Sequence, residues 1–110
     1  MTSAQLPGGV TLITVRGEVD VFTSPALEAR LADAVDDGAV RVVVDLSPVD
    51  FLDSTALGVL VGGWKRMRAA DGDLVVVCAA ERLLRLFRIT RLDEVLPLVP
   101  DVPSARSWRP

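Results

Sequence analysis

The chain has 110 residues, half of them apolar and a quarter charged, which suits one packed core and excludes wholesale disorder. Twelve Lys and Arg against fifteen Asp and Glu leave a net charge of −3, so no general attraction to nucleic acid or anionic lipid is expected. With no His and a single Cys, Cys78, histidine-based acid–base chemistry, an internal disulfide and a Cys-rich zinc site are all excluded.

The first basic residue is Arg16, and Gly8-Gly9 follow a polar start, which is not the pattern of a signal peptide. The apolar stretches Val42–Val44, Ala56–Leu60 and Leu74–Cys78 are far shorter than the ~20 residues that span a bilayer. The expected location is the cytoplasm, with no membrane partner.

In chain order, Leu6-Pro7-Gly8-Gly9-Val10 reads as a tight turn between a short first strand and a second one at Thr11–Arg16. Leu12 and Thr14 face one way there, Ile13 and Val15 the other. Gly17-Glu18-Val19-Asp20 leads into a loop. Ser24-Pro25 signals a helix start, with Ser24 as cap and Pro25 at the first helical position. Leu27, Leu31, Ala34 and Val35 share one face of that helix, and Asp36-Asp37-Gly38 ends it. Arg41–Leu46 has the Val run of a strand buried on both faces. After Ser47-Pro48, Val49 and Phe51 alternate with Asp50 and Leu52. Leu57, Leu60, Val61, Trp64 and Met67 then form a helical face closing at Asp71-Gly72.

Leu74–Cys78 is another strand. Glu81–Arg88 predicts a third helix, with Leu83, Leu84 and Phe87 inward and Arg82, Arg85 and Arg88 outward. Val95–Val99 fits an edge strand, because Pro97 cannot donate to a ladder. Pro100, Pro103 and Pro110 predict a poorly ordered tail over 101–110. The alternation of strands and helices points to a single α/β domain over 1–100, with a mixed, mostly parallel sheet of about four or five strands.

One spot carries chemistry: Asp53-Ser54-Thr55, ahead of the most periodic helix. Small polar residues there cap a helix by accepting bonds from its free amides. Equally, the Ser54 hydroxyl at a helix N-terminus is placed to accept a phosphoryl group, because free N–H groups and the positive dipole end tolerate an anion. The two roles are compatible. Gly58 and Gly62 share a side of that helix, where Gly costs ~1 kcal/mol relative to Ala; close approach by a core neighbour, or by a partner's helix, explains them. Asp45 ends a Val strand as a response-regulator phosphoacceptor does, but no late Lys follows, since the one Lys is Lys65. Cys78 reads as a buried, inert thiol. No phosphate-binding G-x-x-x-x-G-K pattern is present, which disfavours a nucleotide or small-ligand sensor.

The ordered set Gly17-Glu18-Val19-Asp20, Val44-Asp45-Leu46-Ser47 and Phe51-Leu52-Asp53-Ser54-Thr55-Ala56-Leu57-Gly58-Val59-Leu60 resembles the STAS domain of bacterial anti-sigma factor antagonists. The likeness continues through Lys65–Ala69, Gly72–Leu74 and Leu86–Asp93, and covers roughly residues 6 to 100. The resemblance implies helices packed on a sheet and a phosphorylated serine, Ser54, at the start of the second helix. Asp20 then matches the family's loop acid near the acceptor, and Asp53, Thr55 and Gly58 become site neighbours or partner contacts. It also implies a partner-switching role. The unmodified protein binds an anti-sigma factor, itself an ATP-using serine kinase, and so releases a sigma factor. Phosphorylation ends the complex and a phosphatase resets it. Neither enzymatic activity nor a cofactor is implied for the chain.

Three departures stand out. Ala56 occupies a position where Gly is common, Arg91 replaces a Gly in Thr90-Arg91-Leu92, and the family's final helix is reduced to room for about one turn. The alternative implied by the same family is a constitutive accessory subunit, for example beside a lipid transporter's ATPase, with no phosphorylation.

Overall fold

A computed structural model describes residues 1–110. Strands β1 (Thr2–Leu6) and β2 (Val10–Thr14) form an antiparallel hairpin, and β3 (Gly17–Val19) follows. Helix α1 (Ser24–Asp36), β4 (Arg41–Asp45), β5 (Val49–Leu52), α2 (Ser54–Ala69), β6 (Asp73–Val77) and α3 (Glu81–Ile89) come next. A 3-10 turn (Leu92–Glu94), β7 (Leu98–Val99) and α4 (Val102–Ser107) complete the chain. The main sheet has the order β1-β2-β4-β6-β7, parallel except for the hairpin, and β3 pairs with β5 as a separate parallel ribbon. The expected mixed, mostly parallel α/β architecture is therefore present.

The Val runs explain the layering. Val42 and Val44 of β4, like Leu74 and Val76 of β6, enter a large core beneath α1, α2 and α3, joined by Leu27, Leu31, Leu60 and Phe87. Val43, Val75 and Val77 point the other way, into a smaller core closed by Ala105 of α4. A strand with period-2 side chains and a helix on each face has to be apolar throughout, hence the unbroken runs.

Helix α1 ends as its sequence predicts: Gly38 takes φ +78°, its amide bonds to the Val35 carbonyl, and the Ala39 amide bonds to that of Ala34. The start of α1 differs from expectation. Ser24 does not cap it; it is the first helical residue, buried, and its Oγ has no hydrogen-bond partner. Its amide instead bonds to the Asp20 carbonyl, and the turn before it is built by Asp20 and Thr23.

Two further expectations are corrected. Gly17–Val19 is a strand and not the start of a loop, and in its partner β5 it is Val49 and Leu52 that are buried while Asp50 and Phe51 face out. A register shift between Gly17 and Glu18 breaks the simple alternation. The tail over 101–110 is not poorly ordered. Asp101 caps α4 by accepting from the Ser104 amide at 2.8 Å, and Pro103 sits in the first turn, where a missing N–H costs nothing. Six residues are too few to hold a helix alone. Burial of Ala105 and Trp108 on the sheet, together with Arg41, holds this one.

Arg91 adopts φ 61° and ψ 18°, left-handed backbone that costs a side-chain-bearing residue about 1–2 kcal/mol. The strain is confined to the turn after α3.

Candidate functional site

The C-terminal end of β5 delivers the chain straight into α2, and Asp53 sits at the junction with extended backbone (φ −110°, ψ −177°). Its Oδ1 accepts the Ala56 amide at 3.0 Å, so Asp53 is the helix cap. Ser54 is therefore the first helical residue and is exposed, as is Thr55. The amides of Ser54 and Thr55 belong to the first turn, which lacks carbonyls four residues back inside the helix. Within the first turn there is no acidic side chain, so apart from the capping Asp53 carboxylate the positive end of the dipole at Ser54 is uncompensated, while Arg66 and Arg68 lie in the last turn. The cap is therefore Asp53, and the Ser54 side chain takes no part in capping α2.

The ribbon places a second loop beside this junction. Val19 pairs with Leu52, and the Asp53 amide bonds to the Val19 carbonyl at 3.2 Å, which aligns Asp20 with Asp53 in sequence register. The Asp20 carboxylate turns back on its own loop. One oxygen accepts the amides of Phe22 (2.9 Å) and Thr23 (3.0 Å), and the Thr23 hydroxyl lies within 3.2 Å of it. The Thr23 amide holds the Asp20 carboxyl below its usual range, opposed by desolvation and helped further by the Phe22 amide and the Thr23 hydroxyl. Asp20 therefore builds the loop facing the site.

A further support is not visible from periodicity. Arg82 of α3 reaches across to β5, with its guanidinium donating to the Asp50 carbonyl at 2.8 and 3.2 Å. This ties α3 to the segment three residues ahead of Asp53. The only advance signal was the outward Arg series on α3, which reads equally as a solvated face.

Gly58 is exposed one turn below Ser54, and a Cβ built at Gly58 or Gly62 meets nothing within 4 Å. The core-neighbour explanation for these two therefore fails. The Gly that packs tightly is Gly63, whose Cβ would lie 2.8 Å from Leu31 Cδ1. Thr55, Gly58 and Gly62 instead line an open groove between α2 and α1, with Glu28 and Arg66 on its walls. Because nothing opposes a methyl there, Gly58→Ala and Gly62→Ala are each expected to stabilise the fold by about 0.5–1 kcal/mol, read as a rise of a few degrees in thermal midpoint. A fall in either midpoint would mean that something occupies the groove.

Cys78 is buried at the end of β6, and burial pushes its thiol up, away from reactivity. Asp45 accepts the Ser47 amide at 2.9 Å and shapes the β4–β5 turn. No group of three or more Cys, Asp or Glu side chains converges as a metal site, and no helix is long and apolar enough to cross a membrane.

A small mixed sheet with helices on its faces and a satellite parallel ribbon feeding a helix define a small α/β module. The family model for the STAS domain matches residues 2–105, and the chain belongs to that family. It is 40% identical over 87 residues to the anti-sigma-B factor antagonist of Listeria monocytogenes, covering 78% of this chain and 75% of that one. Against the Bacillus subtilis protein of the same name the figures are 36% over 86 residues and 78% of each chain. Among solved structures, an anti-sigma factor antagonist from Mycobacterium paratuberculosis superposes with a TM-score of 0.86 at 33% identity, covering 96% of this chain and 91% of that one. The Bacillus cell fate determinant SpoIIAA, solved in its phosphorylated form, shares the fold with a TM-score of 0.75 at 16% identity, over 98% of each chain.

Proposed function

We propose that this chain is an anti-sigma factor antagonist of the partner-switching kind. Its unmodified form binds an anti-sigma factor serine kinase and releases a sigma factor, and phosphorylation of Ser54 ends that binding. The single observation carrying this reading is the exposed Ser54 in the first turn of α2, immediately after the capping Asp53. The names of the 36–40% identical relatives support the antagonist role.

In the transfer step the Ser54 Oγ attacks the γ-phosphorus of ATP bound to the kinase. A new O–P bond forms, the bond from that phosphorus to the β–γ bridging oxygen breaks, and ADP leaves. The hydroxyl proton passes to a base of the kinase. Nucleotide and Mg²⁺ are held by the kinase, so this chain is the substrate and needs no cofactor of its own. A phosphatase returns the hydroxyl by hydrolysis. The phosphate adds about 1.5–2 negative charges to the docking face, next to Asp53.

The test is incubation with ATP and each anti-sigma factor kinase of the source organism, followed by mass mapping. One phosphoryl group is expected on Ser54 of the wild type, and none on Ser54→Ala, which still binds its kinase. A phosphoryl group on Thr55 alone, or no modification with any kinase, would overturn the assignment. A stable complex with a transporter ATPase and no modification would instead identify a constitutive accessory subunit.

A further inference from the structure

Six large hydrophobic side chains are exposed on this molecule, and three of them, Val21, Phe22 and Phe51, lie on the two segments that converge on Asp53 and Ser54. Phe22 is 87% exposed, Val21 57% and Phe51 49%. Phe51 sits on β5 opposite Glu18 of β3, two residues before Asp53. Phe22 lies three residues beyond Val19, whose carbonyl holds the Asp53 amide.

We infer that Phe22, backed by Val21 and Phe51, is the aromatic anchor that docks the anti-sigma factor beside Ser54, in an apolar pocket rimmed by Lys or Arg. The inference rests on the proposed function and names the contact that gives it affinity. Two features of the loop support it. First, the loop is held in shape before any partner arrives. The Asp20 carboxylate takes the amides of Phe22 and Thr23, the Asp20 carbonyl takes the Ser24 amide at 2.8 Å, and the Thr23 hydroxyl accepts the Asp20 amide while donating to the Glu18 carbonyl. An exposed ring on such a turn loses little entropy on binding, and aromatic residues in that setting dominate interface energetics.

Second, the surroundings are acidic. Glu18 and Asp50 are exposed on the same two strands, and Asp20 and Asp53 close their ends. Arg82 donates to the Asp50 carbonyl and also lies 3.8 Å from the Asp50 carboxylate, which leaves Glu18, Asp20 and Asp53 as the acids here without an ion-pair partner. An apolar centre within a ring of carboxylates is complementary to a basic rim around an apolar pocket. Phosphate at Ser54 adds to this acidic face, so it opposes docking through the bulk and desolvation of a dianion at the contact and not through the rim.

The test is a titration of each purified anti-sigma factor kinase of the source organism with wild type, Phe22→Ala and Phe22→Tyr. Since Phe22 is almost fully exposed, both variants keep the wild-type thermal midpoint. Against the kinase that binds wild type, Phe22→Ala is expected to bind about 10-fold or more weakly and Phe22→Tyr within about threefold. Equal affinity of Phe22→Ala and wild type overturns the anchor and leaves the Ser54 switch intact. A wild-type dimer that Phe22→Ala dissociates would assign the patch to a second copy of this chain, and likewise overturns it. Failure of every kinase to bind wild type removes the proposed function, and the anchor with it.

Discussion

Phosphorylated chain is expected to bind its anti-sigma factor kinase about 150-fold more weakly than unmodified chain, equivalent to ~3 kcal/mol, and Ser54→Asp about 10-fold more weakly. The ratio follows from charge. Aspartate brings one negative charge to the first turn of α2, where phosphate brings about 1.5–2, so it reproduces roughly half the free-energy penalty. Desolvating that charge beside Asp53, against a partner face suited to a neutral hydroxyl, supplies the repulsion. The fold responds in the opposite sense: an anion at the N-terminal turn of α2 meets free amides and the positive dipole end, so the thermal midpoint of Ser54→Asp is expected to stay level or rise slightly. Binding falls while stability holds. Calorimetric titration alongside thermal unfolding checks both, and equal affinities of wild type and Ser54→Asp would defeat the charge-gating mechanism.

The second large effect lies at the opposite end of the sheet. Arg41→Met is expected to destabilise the domain by about 2–3 kcal/mol, lowering the thermal midpoint by roughly 10 °C, and to free α4 first. The Arg41 guanidinium grips Asp73 with both arms, at 2.6 and 3.1 Å, and these side chains are only 16% and 20% exposed. It also donates to the Ala105 and Arg106 carbonyls at the end of α4, at 3.1 and 2.8 Å, and lies 5.6 Å from the centre of the Trp108 ring. Met matches the volume but leaves Asp73 charged and half-desolvated, and it removes both bonds to α4. Arg41→Lys keeps the charge but not the planar fork, so an intermediate loss is expected. Hydrogen exchange over 102–107 locates the change. Unaltered protection there in Arg41→Met would show that apolar packing alone holds α4.

What could be read before folding was whatever depends on residues close in sequence. The 3.6-residue spacing of Leu57, Leu60 and Met67 marks α2's inner face, the Val runs mark strands covered on both sides, and Asp36-Asp37-Gly38 marks a helix end with its left-handed glycine. Asp53-Ser54-Thr55 stood out for the same reason, since a cap and its helix are neighbours in the chain. The resemblance to the STAS family rested on those local runs too.

Other assignments depended on partners far along the chain. Gly17–Val19 is too short to register as a strand until β5 lies beside it, and Ser24 looks like a cap, yet α1 starts without a side-chain cap, from a turn that Asp20 and Thr23 build. The tail reads as disordered because three prolines outweigh Val102, Ala105 and Trp108 locally, whereas the sheet's second face and Arg41, 64 residues from Ala105, supply the missing stabilisation. In this protein, then, local periodicity and capping chemistry specified the elements and the place of Ser54 at the start of α2. Long-range contacts alone decided that Gly63, and neither Gly58 nor Gly62, packs against the core, and that Phe22 stands in solvent on a hydrogen-bonded turn after β3. A side chain's exposure is set by what the rest of the chain brings against it, and no spacing rule within one segment contains that information.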